Sequence, residues 1–270
     1  MTRASCWRRQ LAWCALLGGS TVSWHASAQT RTEAPVPAPT WSESVARATE
    51  GGAYLPLSLS PEVGKTAALA AVNGGYDDAA QAPQFASFGE VRVYGPFAVR
   101  AAVTTNVAGK ALRPSVAGRA QFLDQQRHGV SAAATVAFKA EGFTEPEGEL
   151  ETTLSVGRRF GRTLLIANLI YGQDPEGRER DAETSIACLV RLSTWAHVGF
   201  DGRGRFDLSP QGTGAAAEKE PRYALDLGPV LSLAVGPLAL SAHAGLSSLA
   251  RTEQDPRFGV VAMAGLGTAF

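Results

Sequence analysis

Residues 257–270 read RFGVVAMAGLGTAF, and their side chains sort cleanly into two faces. Phe258, Val260, Ala262, Ala264, Leu266, Thr268 and Phe270 share one face; Gly259, Val261, Met263, Gly265, Gly267 and Ala269 share the other. Side chains change sides at every residue of a β-strand, so this is a strand with one oily face and one face of mostly small residues.

Upstream, the same alternation recurs between clusters of Gly, Pro, Asp and Glu. The predicted strands are 88–94, 97–106, 115–122, 130–141, 149–158, 163–171, 181–192, 195–203, 222–235, 238–248 and 258–270. In 149–158, Leu150, Thr152, Leu154 and Val156 oppose Glu149, Glu151, Thr153 and Ser155. In 181–192, Thr184, Ile186, Cys188, Val190 and Leu192 oppose Asp181, Glu183, Ser185 and Arg191. Segment 163–171 is apolar on both faces apart from Asn168, so its pattern does not decide its inward side.

The connections alternate as well. Gly95-Pro96, 124–129, 160–162, Ser193-Thr194 and Gly236-Pro237 are short; 107–114, 142–148, 172–180, 204–221 and 250–257 are generally longer and more polar. Short connections fall on the side where Phe270 ends. Eleven strands would leave the two ends of the sheet on opposite sides, so a twelfth is expected at 65–73, followed by a loop through Gly74-Gly75-Tyr76-Asp77-Asp78.

The amino-terminus has the plan of a secretory signal peptide. Arg3, Arg8 and Arg9 precede an apolar stretch from Leu11 to about Val22, and Ala26-Ser27-Ala28 is a small-x-small cleavage site. Cleavage is expected after Ala28. Residues 29–53 are rich in Pro and Ala and read as an extended leader, with a short helix predicted at 41–49. The segment before the strands is also a candidate plug for whatever they enclose.

A signal peptide, alternating strands with unequal connections and a closing strand that ends on Phe270 together resemble Gram-negative outer-membrane β-barrel proteins. The resemblance implies an all-β fold: a transmembrane, antiparallel, up-and-down barrel of about twelve strands, with ten or fourteen open. It also implies an outer-membrane location and recognition of Phe270 by the barrel-assembly machinery. The resemblance is architectural and points to no specific subfamily. On this reading 1–28 is the signal peptide, 29–53 a periplasmic leader and 54–270 the barrel.

A secreted β-sandwich alternates in the same way. Three features favour the membrane. The apolar faces run for about ten residues, enough to cross a bilayer at a tilt. Tyr94, Phe97, Phe122, Tyr171, Trp195, Tyr223, Phe258 and Phe270 cluster near strand ends. The opposite faces carry Glu, Arg, Asp and Ser among many Gly and Ala.

Composition narrows the function classes. Removing Arg3, Arg8 and Arg9 leaves 22 basic against 25 acidic residues, which gives no electrostatic reason to expect a nucleic-acid partner. Cys188 alone survives the expected cleavage, so no intramolecular disulfide forms; it falls on the lipid-facing parity as a small apolar residue. After Ala28 no run of about eighteen apolar residues occurs.

The same parity sends thirteen charged residues inward: Glu90, Arg92, Arg100, Arg119, Lys139, Glu149, Glu151, Asp181, Glu183, Arg191, Asp201, Arg203 and Asp226. In a pore, opposed charges set a transverse field that tunes selectivity; the alternative is that they pair and fill a narrow lumen. The expected function is a passive channel or small-solute transporter, with outer-membrane lipid and a small solute as partners. The alternatives are a structural or surface-adhesion barrel without transport, and a lipid-modifying enzyme.

For the last, His197 and His243 point inward with Ser241 or Ser247 nearby. The outer-membrane phospholipase family uses Ser, His and Asn in a twelve-strand barrel, but its site faces lipid, and no nucleophile motif surrounds either histidine here. No catalytic residue is assigned. His128 falls in a short turn. The acidic sequences Glu145-Pro146-Glu147-Gly148 and Asp174-Pro175-Glu176-Gly177 offer oxygen ligands for Ca²⁺, yet Pro followed by Gly is also a common turn recipe. No metal site and no cofactor are expected.

Overall fold

The computed structural model describes residues 55–63, 68–105, 111–144, 147–175, 180–209, 221–235, 238–251 and 255–269. The expected cleavage site at Ala26 and Ala28, the leader 29–53 with its predicted helix, and Phe270 lie outside the described residues.

Twelve strands follow one another. They are β1 (Ala68–Asp77), β2 (Ala82–Tyr94), β3 (Phe97–Thr105), β4 (Leu112–Leu123), β5 (Ser131–Ala140) and β6 (Gly148–Phe160), then β7 (Thr163–Gln173), β8 (Arg180–Arg191), β9 (Ala196–Asp207), β10 (Pro221–Val235), β11 (Leu238–Arg251) and β12 (Arg257–Ala269). A single helical turn, α1 (Gln125–His128), sits between β4 and β5, capped by the Asp124 side chain. Each strand pairs antiparallel with the next, and β1 closes the ring against β12, Leu69 opposite Ala269 and Asp77 opposite Val261. Closure leaves no edge strand, so the backbone ladder is satisfied around the cylinder without help from solvent.

Alternation decides what faces outward. Ile186, Leu227 and Leu246 are 65%, 61% and 73% exposed, while their strand neighbours Ser185, Asp226 and Ser247 are buried. This is inside-out relative to a sandwich, whose apolar faces meet in the core. Such a belt suits hydrocarbon and would aggregate in water. Tyr94, Phe97, Phe122, Phe160 and Trp195, all exposed, ring the end where the short turns lie, as interfacial aromatics do. The turns 95–96 and 161–162 hold two residues each, and Gly95 and Gly161 supply their positive φ of 51° and 57°.

The amino-terminal part of the barrel departs from the expectation. Of the strand expected at 65–73, residues 65–67 lie outside the described residues; β1 (Ala68–Asp77) runs past 73, so Gly74, Gly75, Tyr76 and Asp77 continue the ladder instead of forming a loop. Gly75 belongs there because a Cβ would run into the backbone and side chain of Met263 on β12. The turn comes later: the Asp77 carboxylate accepts the N–H groups of Ala79 (2.9 Å) and Ala80 (3.2 Å). β2 starts at Ala82, six residues before the predicted 88, because β1 pairs with it over that whole length.

Candidate functional site: the barrel lumen

The inward faces carry three levels of side chains. At the long-loop end, neighbouring strands place opposite charges side by side. Lys139 Nζ lies 2.6 Å from Glu151 Oε1, Arg203 Nη2 3.1 Å from Asp226 Oδ2, and Arg205 Nε 2.5 Å from Asp181 Oδ2. Arg113 pairs with Glu141 and reaches Glu149 at 3.3 Å. Arg113, Lys139, Glu151, Arg203 and Arg205, with Gln84, Thr104, Thr105 and Glu183, line a cavity of about 200 Å³. At roughly 30 Å³ per molecule it has room for several waters.

At mid-height a polar row crosses three strands. Register sets Ser155 opposite Asn168 and Asn168 opposite Ser185. Asn168 Nδ2 donates to Ser155 Oγ (2.9 Å), and Ser185 Oγ donates to Asn168 Oδ1 (2.7 Å). Asp201 on β9 continues this level and is fully buried.

Towards the short turns, Glu90 holds two arginines. Arg100 Nη2 lies 2.9 Å from it and stacks over Phe88, with 4.1 Å from guanidinium to ring centroid. Arg119 also pairs with Glu90, and its Nε donates to Thr135 Oγ1 at 3.2 Å.

Residues 55–63 cross this half of the lumen. Leu57 N–H donates to Asp201 Oδ2 (3.1 Å) and Ser58 Oγ to Asp201 Oδ1 (2.6 Å). Leu59 N–H donates to Asn168 Oδ1 and Leu59 O accepts from Asn168 Nδ2, both at 2.8 Å. Ser60 O accepts from Arg119 Nη2 (2.7 Å), and Val63 N–H donates to Gln121 Oε1 (3.0 Å). Apolar contacts hold the ends: Leu55 packs among Leu164, Ile166, Ala187, Leu189 and Val230, and Val63 against Ala98 and Ala133. Residues 55–63 of the expected 54–270 barrel segment therefore lie inside the cylinder instead of in its wall.

This explains the strand whose two faces looked alike. The lumen face of β7 carries Leu164, Ile166, Asn168 and Ile170, and its first two apolar residues are buried against Leu55 instead of facing water.

The thirteen charged residues read as inward divide by height. Lys139, Glu149, Glu151, Asp181, Glu183, Arg203 and Asp226 lie at the long-loop end; Glu90, Arg100 and Arg119 meet near the short turns; Asp201 binds residues 57 and 58. Arg191 and Arg92 sit at the short-turn ends of β8 and β2, where Arg92 is exposed. Arg113 and Arg205 escaped the sequence reading because the predicted strands stopped at 115 and 203; carrying the alternation two residues further finds both. Asn168 stood out only as the lone polar residue of its strand.

His197 and His243 are each 2% exposed and face inward. Neither ring nitrogen of His243 makes a hydrogen bond, nor does Oγ of Ser241 or Ser247, so neither of these two serines is bonded to a base. His128 closes α1 at the surface, beside Asp124. Glu145, Pro146, Glu176 and Gly177 of the acidic turns lie outside the described residues.

No family model matches the sequence. No curated protein matches it either. Among solved structures, the NanC porin aligns with a TM-score of 0.53 at 12% identity, covering 74% of this chain and 100% of its own. The KdgM porin aligns with a TM-score of 0.51 at 9% identity, covering 75% of this chain and 99% of its own. At such identities the likeness is one of fold: this chain folds as a closed, twelve-strand antiparallel β-barrel similar to those of the two porins.

Proposed function

We propose that this protein is a passive channel for small polar solutes in the outer membrane, delivered there by the signal peptide at 1–28 and inserted through its closing strand and Phe270. The observation that carries the reading is the charged cavity of about 200 Å³ at the long-loop end, enclosed by a barrel whose exterior is apolar. Solved structures of the same fold are named as porins, which supports the reading. Solute would pass between opposed carboxylates and guanidinium groups, whose field favours polar or charged molecules over apolar ones. The protein acts without catalysis on this reading, and the inward histidines serve the lumen wall.

The test is conductance of the purified mature protein in planar bilayers. Discrete current steps above background support a channel. Their absence from every variant that folds, judged by heat-dependent mobility in detergent gels, ends the reading.

One observation favours a second reading, a closed barrel used for membrane structure or surface contact: residues 55–63 occupy the lumen. The unmodified protein then conducts nothing.

A further inference from the structure

Nothing in the barrel's own architecture calls for residues 55–63 to lie inside it, and the way the wall holds them is unusual. The wall engages the segment's main chain at five groups: Leu57 N–H, both main-chain groups of Leu59, Ser60 O and Val63 N–H. The Ser58 side chain adds a bond to Asp201. The donors and acceptors come from strands far apart around the ring: Gln121 and Arg119 on β4, Asn168 on β7 and Asp201 on β9. A set of side chains that reads main-chain N–H and C=O groups recognises a polypeptide as such, whatever its side chains, because those groups repeat at every residue.

We propose that Arg119, Gln121, Asn168 and Asp201 form a peptide-main-chain site across the lumen, and that residues 55–63 are its tethered, displaceable occupant, which closes the channel. The proposal rests on the channel reading above. Three further observations support displacement. The segment has neither helix nor strand of its own, so it leaves without unravelling the barrel ladder. Its bonds to Asp201, Asn168, Arg119 and Gln121 all go to wall side chains and leave the β-ladder untouched. Its apolar anchors, Leu55 and Val63, sit at its two ends; between them Leu57 and Pro61 are also buried, but the directional part of the fit comes from hydrogen bonds that water replaces when the segment withdraws. Tethering raises the local concentration of the occupant to the millimolar range or above, so a modest intrinsic affinity keeps the site filled. A free peptide competes for the same groups once the tethered copy is weakened.

The experiment alters the occupant and leaves the wall intact. In the full mature chain, Leu57→Pro removes the N–H that Asp201 accepts, and Ser58→Ala removes the hydroxyl bound to the same carboxylate. Both changes lie outside the strands, and heat-dependent gel mobility verifies that the barrel folds. Hydrogen bonds to a charged group are strong enough that losing two raises the open fraction about tenfold or more in planar bilayers. A synthetic peptide with the sequence of residues 55–63, added to both compartments, then restores the block in a dose-dependent way. The same peptide N-methylated at Leu59 blocks at least about tenfold less well, since it lacks the donor that Asn168 reads.

Three results overturn the proposal. A double variant that conducts like the unmodified protein leaves the channel standing and removes the stopper. Equal block by the N-methylated and unmodified peptides, or block by neither, removes the main-chain site. No current from either protein removes the channel reading, and the gate with it.

Discussion

Asn168 holds Leu59 by both of its main-chain groups, taking the N–H on Oδ1 and giving Nδ2–H to the carbonyl, each at 2.8 Å. The same amide spans Ser155 and Ser185 on the flanking strands. One side chain therefore ties β6, β7 and β8 to a segment more than a hundred residues away in sequence.

Asn168→Leu keeps the approximate volume and removes all four bonds. It strands the buried hydroxyls of Ser155 and Ser185, which costs about 1–3 kcal/mol per unsatisfied group where water does not enter. Unfolding by urea in detergent micelles is expected to shift to lower denaturant by a corresponding amount. A midpoint equal to that of the unmodified barrel means that water fills the row in its place.

Arg119→Ala takes one guanidinium from Glu90 and the donor from Ser60 O. Breaking a buried pair costs about 3–5 kcal/mol, and because Arg100 stays on Glu90 the loss belongs at the lower end of that range. The same unfolding measurement reads it. Arg119→Lys recovers only part, since an ammonium is a point charge without the guanidinium's fork.

Gly157 faces the lumen, and a Cβ placed on it comes within 2.7 Å of the Pro61 ring. Gly157→Val pushes hardest against the Pro61 ring and more mildly against the Leu165 carbonyl of β7, 3.3 Å from the added Cβ; once heat-dependent gel mobility shows that the barrel folds, single-channel recordings should show a larger open fraction than the unmodified protein. An unaltered fraction places the segment's hold elsewhere.

Lys139 faces the long-loop cavity beside Glu151. Lys139→Glu reverses one charge of that ring, and the reversal potential across a KCl gradient is expected to move towards cation preference. An unmoved potential means that ions do not pass this group.

Leu227 is 61% exposed at the middle of β10, while its neighbour Asp226 faces the lumen. Leu227→Arg places a charge against hydrocarbon and costs about 2–4 kcal/mol if the position lies at the bilayer midplane. Folding titrations into lipid vesicles measure it. A change near zero puts Leu227 in water and argues against a lipid-facing belt.

Most of the wall was legible because strand alternation is local. Whether Glu151 or Leu150 faces inward depends on one residue of parity, and a slip would move every side chain of β6 to the wrong surface. Strand ends were less readable. Arg113, Arg205 and the Gly74–Asp77 stretch of β1 carry on into the long-loop end, where polar or small residues weaken the apolar face that marks a strand. Parity on β7 was ambiguous for a different reason: its lumen face is apolar because Leu55 packs on it.

The order of residues along the chain determined which side chains meet lipid and which meet the lumen, since a period of two needs no distant partner. Tertiary structure alone decided that β1 joins β12 and that residues 55–63 thread the cylinder. Ring closure depends on the summed registers of all the strands. The threaded segment is held mostly through its main chain, which is the same in every sequence and leaves no pattern to read.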